Sequence, residues 1–372
     1  MKWLLGLLAL IFLIIFHEFG HFLFAKIFGV KVESFSVGMG PILLHKKIKD
    51  TDWRLSLFPI GGYCGMKGEN DFREAIENNL SEIKGEKDSL YGVAPLKRAF
   101  IGFAGPFFNF IFAFFCYFII AMVGYTYYTY SNKIILGPEL YENASKVAME
   151  SGIKTGDIII EVNKKKTEDF SDIIQTVSIC PEEKINIKVL RDGKELSFEM
   201  VPELDKNSGS GKIGIAADTS DVLQKEAKRY SFFPAIFEGF KQTIGSLSIT
   251  IKSVGILFKG VNLDNAVSGP ARVTDMLGSS IQEGFSAGFR QGIVSLLELM
   301  AIISISLFIM NLLPIPILDG GLILIAIIET ITRKKASPKV LYYSQFIGLA
   351  FIAVLFIIGL KGDILFFLNK GK

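Results

Sequence analysis

Four stretches of this chain are apolar over about twenty residues or more, the length a helix needs to cross a bilayer core of about 30 Å. They run from Trp3 to Phe28, from Ala99 to Gly124, from Leu296 past Met310 into the Pro-interrupted Asn311–Gly321, and from Val340 to Leu360. In lipid every backbone polar group must be satisfied within the protein, so such stretches restrict the fold to a polytopic α-helical membrane protein with four spans. Lys2 ahead of the first run suggests a cleaved signal peptide. The run is too long for one, however, and His17-Glu18-Phe19-Gly20-His21 sits where a small-residue cleavage site belongs. A retained helix is expected.

Charge and cysteine content narrow the chemistry. Forty Lys+Arg against 37 Asp+Glu give a net +3, which excludes a nucleic-acid footprint. The three cysteines, Cys64, Cys116 and Cys180, are too widely spaced for a disulfide framework or a cysteine zinc site. Any metal here must use His and carboxylate. Basic residues near span ends set orientation. Lys26, Lys31, Lys46, Lys47, Lys49, Lys97 and Arg98 flank the first loop, and Arg333, Lys334, Lys335 and Lys339 the last, so both are expected in the cytoplasm. The termini and residues 125–295 then lie outside.

Within that outer segment, residues about 130–204 read as a small domain of short strands and one or two helices. The runs 185–190 and 196–201 flank the turn Asp192-Gly193, a hairpin signal. Asn207–Gly211 reads as a flexible break. Residues 229–285 are apolar but repeatedly charged, which suits helices on the membrane surface better than a fifth span.

The pentad carries the strongest chemical signal. Residues four apart share one face of a helix, so His17 and His21 can ligate one Zn²⁺, and Glu18 is placed to take a proton from water there. A solvated-face reading fails because the motif lies in an apolar span, where titratable groups cost several kcal/mol unless they face a cavity. Catalytic zinc normally keeps three protein ligands and an open position. The third is either His45, in the basic loop, or the intramembrane Asp319. Both the pentad and Asp319 lie late in inward-running spans, so depth favours Asp319. Its alternative role is the N-cap of a helix over Leu322–Ile328. Pro314, Pro316, Gly320 and Gly321 break the third span, and irregular backbone at that depth requires protein or a wet cavity around it. Asn311 could bind a substrate backbone or a developing oxyanion, or equally tie two helices together. In the first loop, Phe35–Pro41 and Arg54–Tyr63 read as strands flanking a polar turn. They either present an extended substrate by strand addition or simply pack beneath the helices.

Taken together, His17–His21, Leu318-Asp319-Gly320, Gly61-Gly62-Tyr63, Gly105-Pro106-Phe107-Phe108-Asn109, Ser151–Val162 and Ser268-Gly269-Pro270 resemble the site-2 protease family of intramembrane zinc metalloproteases. The resemblance is to the bacterial regulator-type branch with one PDZ domain, over nearly the whole length. It implies that His17, His21 and Asp319 bind Zn²⁺ and that Glu18 is the general base. It also implies that the loop strands present substrate and that a PDZ-like α/β domain outside the cytoplasm gates access. The implied substrates are single-span proteins already cut once, such as anti-sigma factors and signal-peptide remnants, in a bacterial plasma membrane. The expected layout is an N-terminal membrane part over 1–129 (first span about 3–28, hairpin loop 34–63, second span about 99–124) and a PDZ-like domain over 130–204. A linker with surface helices follows over 205–292, then a C-terminal membrane part over 293–372. Two other readings fit less of the chain. One is a membrane scaffold with a structural metal, which needs a fourth ligand from His45 or Glu33. The other is a metal transporter, which usually shows broken helices in two matching halves.

Overall fold

The computed structural model describes residues 2–370. Helix α1 (Lys2–Ile27) buries Gly6, Ala9, Leu13, His17, Gly20, His21 and Ala25, a stripe at three- and four-residue spacing. Most of the stripe is small because membrane helices associate by close backbone approach rather than by hydrophobic drive. A side chain at Gly20 would run into the Ala104 backbone. Strands β1 (Val32–Ile48) and β2 (Thr51–Met66) form a long antiparallel hairpin that starts before and ends after the expected strands. Both strands bend, with Gly38 (φ 85°) and Gly61 (φ 91°) in backbone conformations costly for any other residue. Residues 34–37 thereby pair with 62–65 and also with 52–55. After a short helix α2 (Asp71–Glu77) comes α3 (Pro95–Val123), whose buried face includes Arg98, Gly102, Gly105, Asn109 and Ala113.

The chain then builds a separate compact unit from residues 124–229 and 248–268. Its elements are β3 (Thr126–Tyr130), β4 (Ile134–Leu136), β5 (Ile158–Val162), β6 (Lys165–Lys166), helix α4 (Phe170–Ser178), β7 (Ile185–Arg191) and β8 (Lys194–Met200). Asp169 caps α4 by accepting from the Ser171 and Asp172 amides. Strands β6-β5-β7-β8 form one sheet, and the β7–β8 turn is the expected Asp192-Gly193, both at positive φ. The unit does not end at the expected 204. Strands β9 (Glu203–Leu204), β10 (Gly211–Lys212), β11 (Ile215–Ala217) and β12 (Val222–Glu226) follow, and β11 and β12 pair back onto β4 and β3. Residues 205–210 are an ordered reversal rather than a flexible break. Lys212 and the Asn207 amide hold the Asp205 carboxyl at about 2, and Ser208 Oγ donates to it at 2.9 Å.

One ion pair ties this unit's core together. Arg191 Nε and Nη2 each donate to the buried Asp157 carboxylate at 2.7 Å, and the Lys154 amide donates at 2.9 Å. Burial pushes that carboxyl up, yet these donors outweigh it and hold it below the usual carboxylate range. A depressed carboxyl stabilises the fold fully above its unfolded pKa of about 4, and the contribution fades as pH falls through the folded value. Asp157→Asn is therefore expected to destabilise the unit by about 3 kcal/mol at neutral pH. It should also flatten the acid limb of its stability curve. Pulse proteolysis of the full chain between pH 3 and 7, scored by cuts within 124–229, checks both.

The remaining helices return to the first unit: α5 (Phe232–Leu257), whose N-terminal half through Leu247 belongs to it, α6 (Pro270–Ser286), α7 (Phe289–Leu312), α8 (Asp319–Thr332) and α9 (Pro338–Lys370). Among the described residues, α1, α3, α7 and α9 are long and apolar enough to cross a membrane, matching the four expected spans; α5 is not. Helix α6 is pressed against α1, with Gly278 against the Lys2 backbone and Lys2 paired to Asp275 at 3.0 Å. Helix α8 packs on α3 around Gly102, and Glu329 bonds the buried Arg98. Gly348 of α9 lies against the Pro316 carbonyl, where any Cβ would clash.

Candidate metal centre and catalytic cavity

Helix α1 stays regular through the pentad, and its four-residue spacing brings both imidazoles onto the buried stripe, 9% and 7% exposed. Their ring centroids are 4.9 Å apart and their Nε2 atoms 3.2 Å apart. The break between α7 and α8 supplies the third group. Ile317 takes φ 86°, a conformation that strains a β-branched residue, and Leu318 occupies the N-cap. Asp319 is thus the first residue of α8, not its cap as one reading expected. Its carboxylate points to the histidines. Asp319 Oδ2 lies 3.2 Å from His17 Nε2, and Oδ1 lies 3.3 Å from His21 Nε2.

The ring nitrogens facing away are also engaged. His21 Nδ1 is 2.8 Å from the Ile101 carbonyl, which can only accept, so Nδ1 carries the proton and Nε2 keeps its lone pair. His17 Nδ1 meets the Asn109 amide at 3.0 Å. Among the described residues these three side chains form the cluster of His, Cys or carboxylate groups able to hold a metal. Neither His45 nor Glu33 belongs to it. The His45 side chain is 65% exposed and pairs with Asp52, whose carboxyl Arg54 and His45 hold below the usual range.

The donor set fits a zinc ion. Ligand atoms arranged tetrahedrally about 2.0–2.1 Å from zinc stand about 3.3 Å from one another. The two Nε2 atoms, 3.2 Å apart, match that edge length. Each faces a different oxygen of the Asp319 carboxylate at 3.2–3.3 Å, and one ligand atom from each of the three groups lies within 4.8 Å of the others. Asp319 Oδ2 is in addition buried with no hydrogen-bond partner, a costly condition that a cation relieves. The three groups open on a cavity of about 420 Å³ that Glu18, Tyr63, Glu69, Asn311 and Gln345 also line. Glu18 is half-buried, with its Cγ beside Gly62 of β2.

Residues 5–355 match peptidase family M50. The chain belongs to this family, that of the site-2 proteases. A protein of Treponema pallidum named a zinc metalloprotease is 33% identical to this peptidase over 98% of the chain and 99% of its own length. Another so named, from Campylobacter jejuni, is 35% identical over 98% and 93% respectively. A third, from Clostridium acetobutylicum, is 30% identical with 98% of both chains covered.

In the peptidase, His17, Glu18 and His21 of the pentad line one cavity together with Asp319 and Asn311. Three contributors have weaker signals. Gly105 and Asn109 lie one helical turn apart on the face of α3 that meets α1, a small-plus-polar pair that stands out in an apolar span. Gln345 comes from the last span, and only its amide, unusual at that depth, marks it.

Proposed function

We propose that this M50 peptidase is a zinc-dependent endopeptidase that cuts the transmembrane segments of single-span, previously shortened proteins, of the anti-sigma-factor or signal-peptide-remnant type. The observation that carries the reading is the convergence of the His17 and His21 Nε2 atoms, 3.2 Å apart, on the Asp319 carboxylate at a cavity among four apolar spans, one ligand atom from each group lying within 4.8 Å of the others. The zinc ion they would hold supplies the Lewis acidity that makes water nucleophilic near neutral pH. Glu18 takes the proton of that water and returns it to the departing amide nitrogen. Asn311, on the same cavity, donates its amide N–H to the developing oxyanion or to the substrate backbone.

A peptide bond inside a helix is shielded, so substrate must be drawn out straight. Residues 62–66 of β2 pair with 32–37, and Tyr63, Cys64 and Met66 line the cavity, which supports strand addition beside Glu18. The compact outer unit has the role of a PDZ-like gate. Its groove of about 560 Å³ between α4 and residues 211–216 suits an extended chain end. The basic flanks of the first and last loops support a cytoplasmic position for the cut, in the plasma membrane of a bacterium like those of its relatives. The scaffold reading requires a fourth protein ligand, and the cluster offers three among the described residues.

Full-length protein in liposomes with a single-span substrate tests the proposal. Cleavage should cease on chelation and return with added zinc. Cleavage that continues at full rate in chelator removes the metallopeptidase mechanism.

A further inference from the structure

The geometry points to Asn109 as the positioning residue that sets the tautomer of His17, an inference that rests on the metal reading above. Asn109 is fully buried, and its Nδ2 stands 3.0 Å from His17 Nδ1. Its Oδ1 is buried with no hydrogen-bond partner. A native structure rarely leaves a buried amide oxygen in that condition. The two ends of a carboxamide exchange by a half-turn with almost no change of shape, so the hydrogen-bond network must decide which end faces the ring.

The two orientations are opposite in chemistry. With nitrogen toward the ring, Nδ1 accepts, and neutral His17 carries its proton on Nε2. That N–H is then aimed at Asp319 and His21, each 3.2 Å away. With oxygen toward the ring, Nδ1–H donates to Asn109, and the Nε2 lone pair points into the cluster. His21 already has the second arrangement, fixed by the Ile101 carbonyl. Two imidazoles share one cation only when both present lone pairs, and a ligating histidine normally donates its other N–H to an acceptor behind it. The oxygen end is therefore the one that serves the site. A neutral amide does this without adding a third negative charge beside Glu18 and Asp319.

The surroundings hold the amide in place. Ser304 Oγ of α7 donates to the Asn109 backbone carbonyl at 2.8 Å. Gly105, one turn earlier on the same face, makes room for the rings: a Cβ there would overlap His21 Nε2 and come within 2.8 Å of His17 Cε1. Glycine and asparagine four residues apart thus form the seat of both imidazoles.

The test measures zinc affinity, by chelator competition, in the full-length protein purified in detergent. Asn109→Leu, which keeps the bulk but cannot accept, should weaken zinc binding about 10- to 100-fold, the usual effect of losing a partner behind a ligand. Asn109→Asp, which can only accept, should stay within roughly threefold of wild type or bind more tightly. A purely interhelical role would need the amide N–H and would leave both variants alike. Equal affinity of wild type and the Leu variant overturns the inference, and so does an Asp variant weakened beyond threefold. If the Leu variant does not fold, the Asp variant decides alone by the same criterion. Wild-type protein that binds no zinc, or binds it equally after His17→Ala, instead removes the metal reading on which the inference stands.

Discussion

Glu18→Gln is expected to reduce turnover of a single-span substrate by about 10²- to 10⁴-fold, the range a positioned general base supplies, or about 3–5 kcal/mol of barrier. The substitution keeps the shape of the side chain and removes only its capacity to take a proton. Glu18 lies outside the three-group cluster, so zinc content should stay at the wild-type level. It is half-buried rather than locked in a helix interface, so the fold should stand as well. The kinetic pattern is as informative as the size. A base acting only in the transition state lowers kcat and kcat/KM together, whereas a substrate-holding residue raises KM with kcat unchanged. Undiminished turnover with a full complement of zinc rules Glu18 out as the base, and a pure KM effect reassigns it to substrate binding.

What the sequence reveals about this site follows from how locally each part is encoded. The pentad is legible because a helix places residues four apart on one face whatever surrounds it. Two histidines inside an apolar run then have few explanations besides a ligand. Asp319 is legible by depth alone, since two spans expected to run in the same direction would carry their late residues to similar levels. The exact start of α8 is not. Asp at a helix beginning usually caps it, and only the tertiary position of His17 and His21 turns the carboxylate outward from that role. The second compact unit shows the same division. The Asp192-Gly193 turn is local chemistry and falls where expected. The unit's end does not, because β11 and β12 are short strands whose partners, β4 and β3, lie some eighty to a hundred residues earlier. Pairing at that separation leaves no periodic trace, and the glycines and serines of 207–211 read as a linker until the Asp205 side chain is seen organising them. Asn109 falls between these cases. Its isolation as a polar residue in the second span is visible, but its partner, His17, is visible only in three dimensions.

Asp319→Ala should abolish stoichiometric zinc binding, raising the dissociation constant by more than about 100-fold, since losing even a partner behind a ligand costs 10- to 100-fold. His17 and His21 would be left to hold the ion alone, one short of the three protein ligands that catalytic zinc sites keep. The helix that carries Asp319 has anchors of its own. Gly102 of α3 lies against Leu322 and Ile323, Glu329 bonds Arg98, and Glu329 Oε1 accepts from the Ala336 amide at 2.7 Å. Asp319 Oδ2 also makes no hydrogen bond that α8 would miss. A loss of metal would therefore report a lost ligand rather than an unravelled helix. Thermal unfolding separates the two independently of activity. Zinc at 100 times its dissociation constant stabilises the wild-type protein by about 2.7 kcal/mol through mass action, whereas the variant's midpoint should not move with added zinc. His45→Ala is the matched control, expected to bind zinc as wild type does because that exposed imidazole is committed to Asp52. Were the outcomes reversed, with Asp319→Ala retaining zinc and His45→Ala losing it, the loop would have to fold back toward α1, and the broken span would need a role other than delivering a carboxylate.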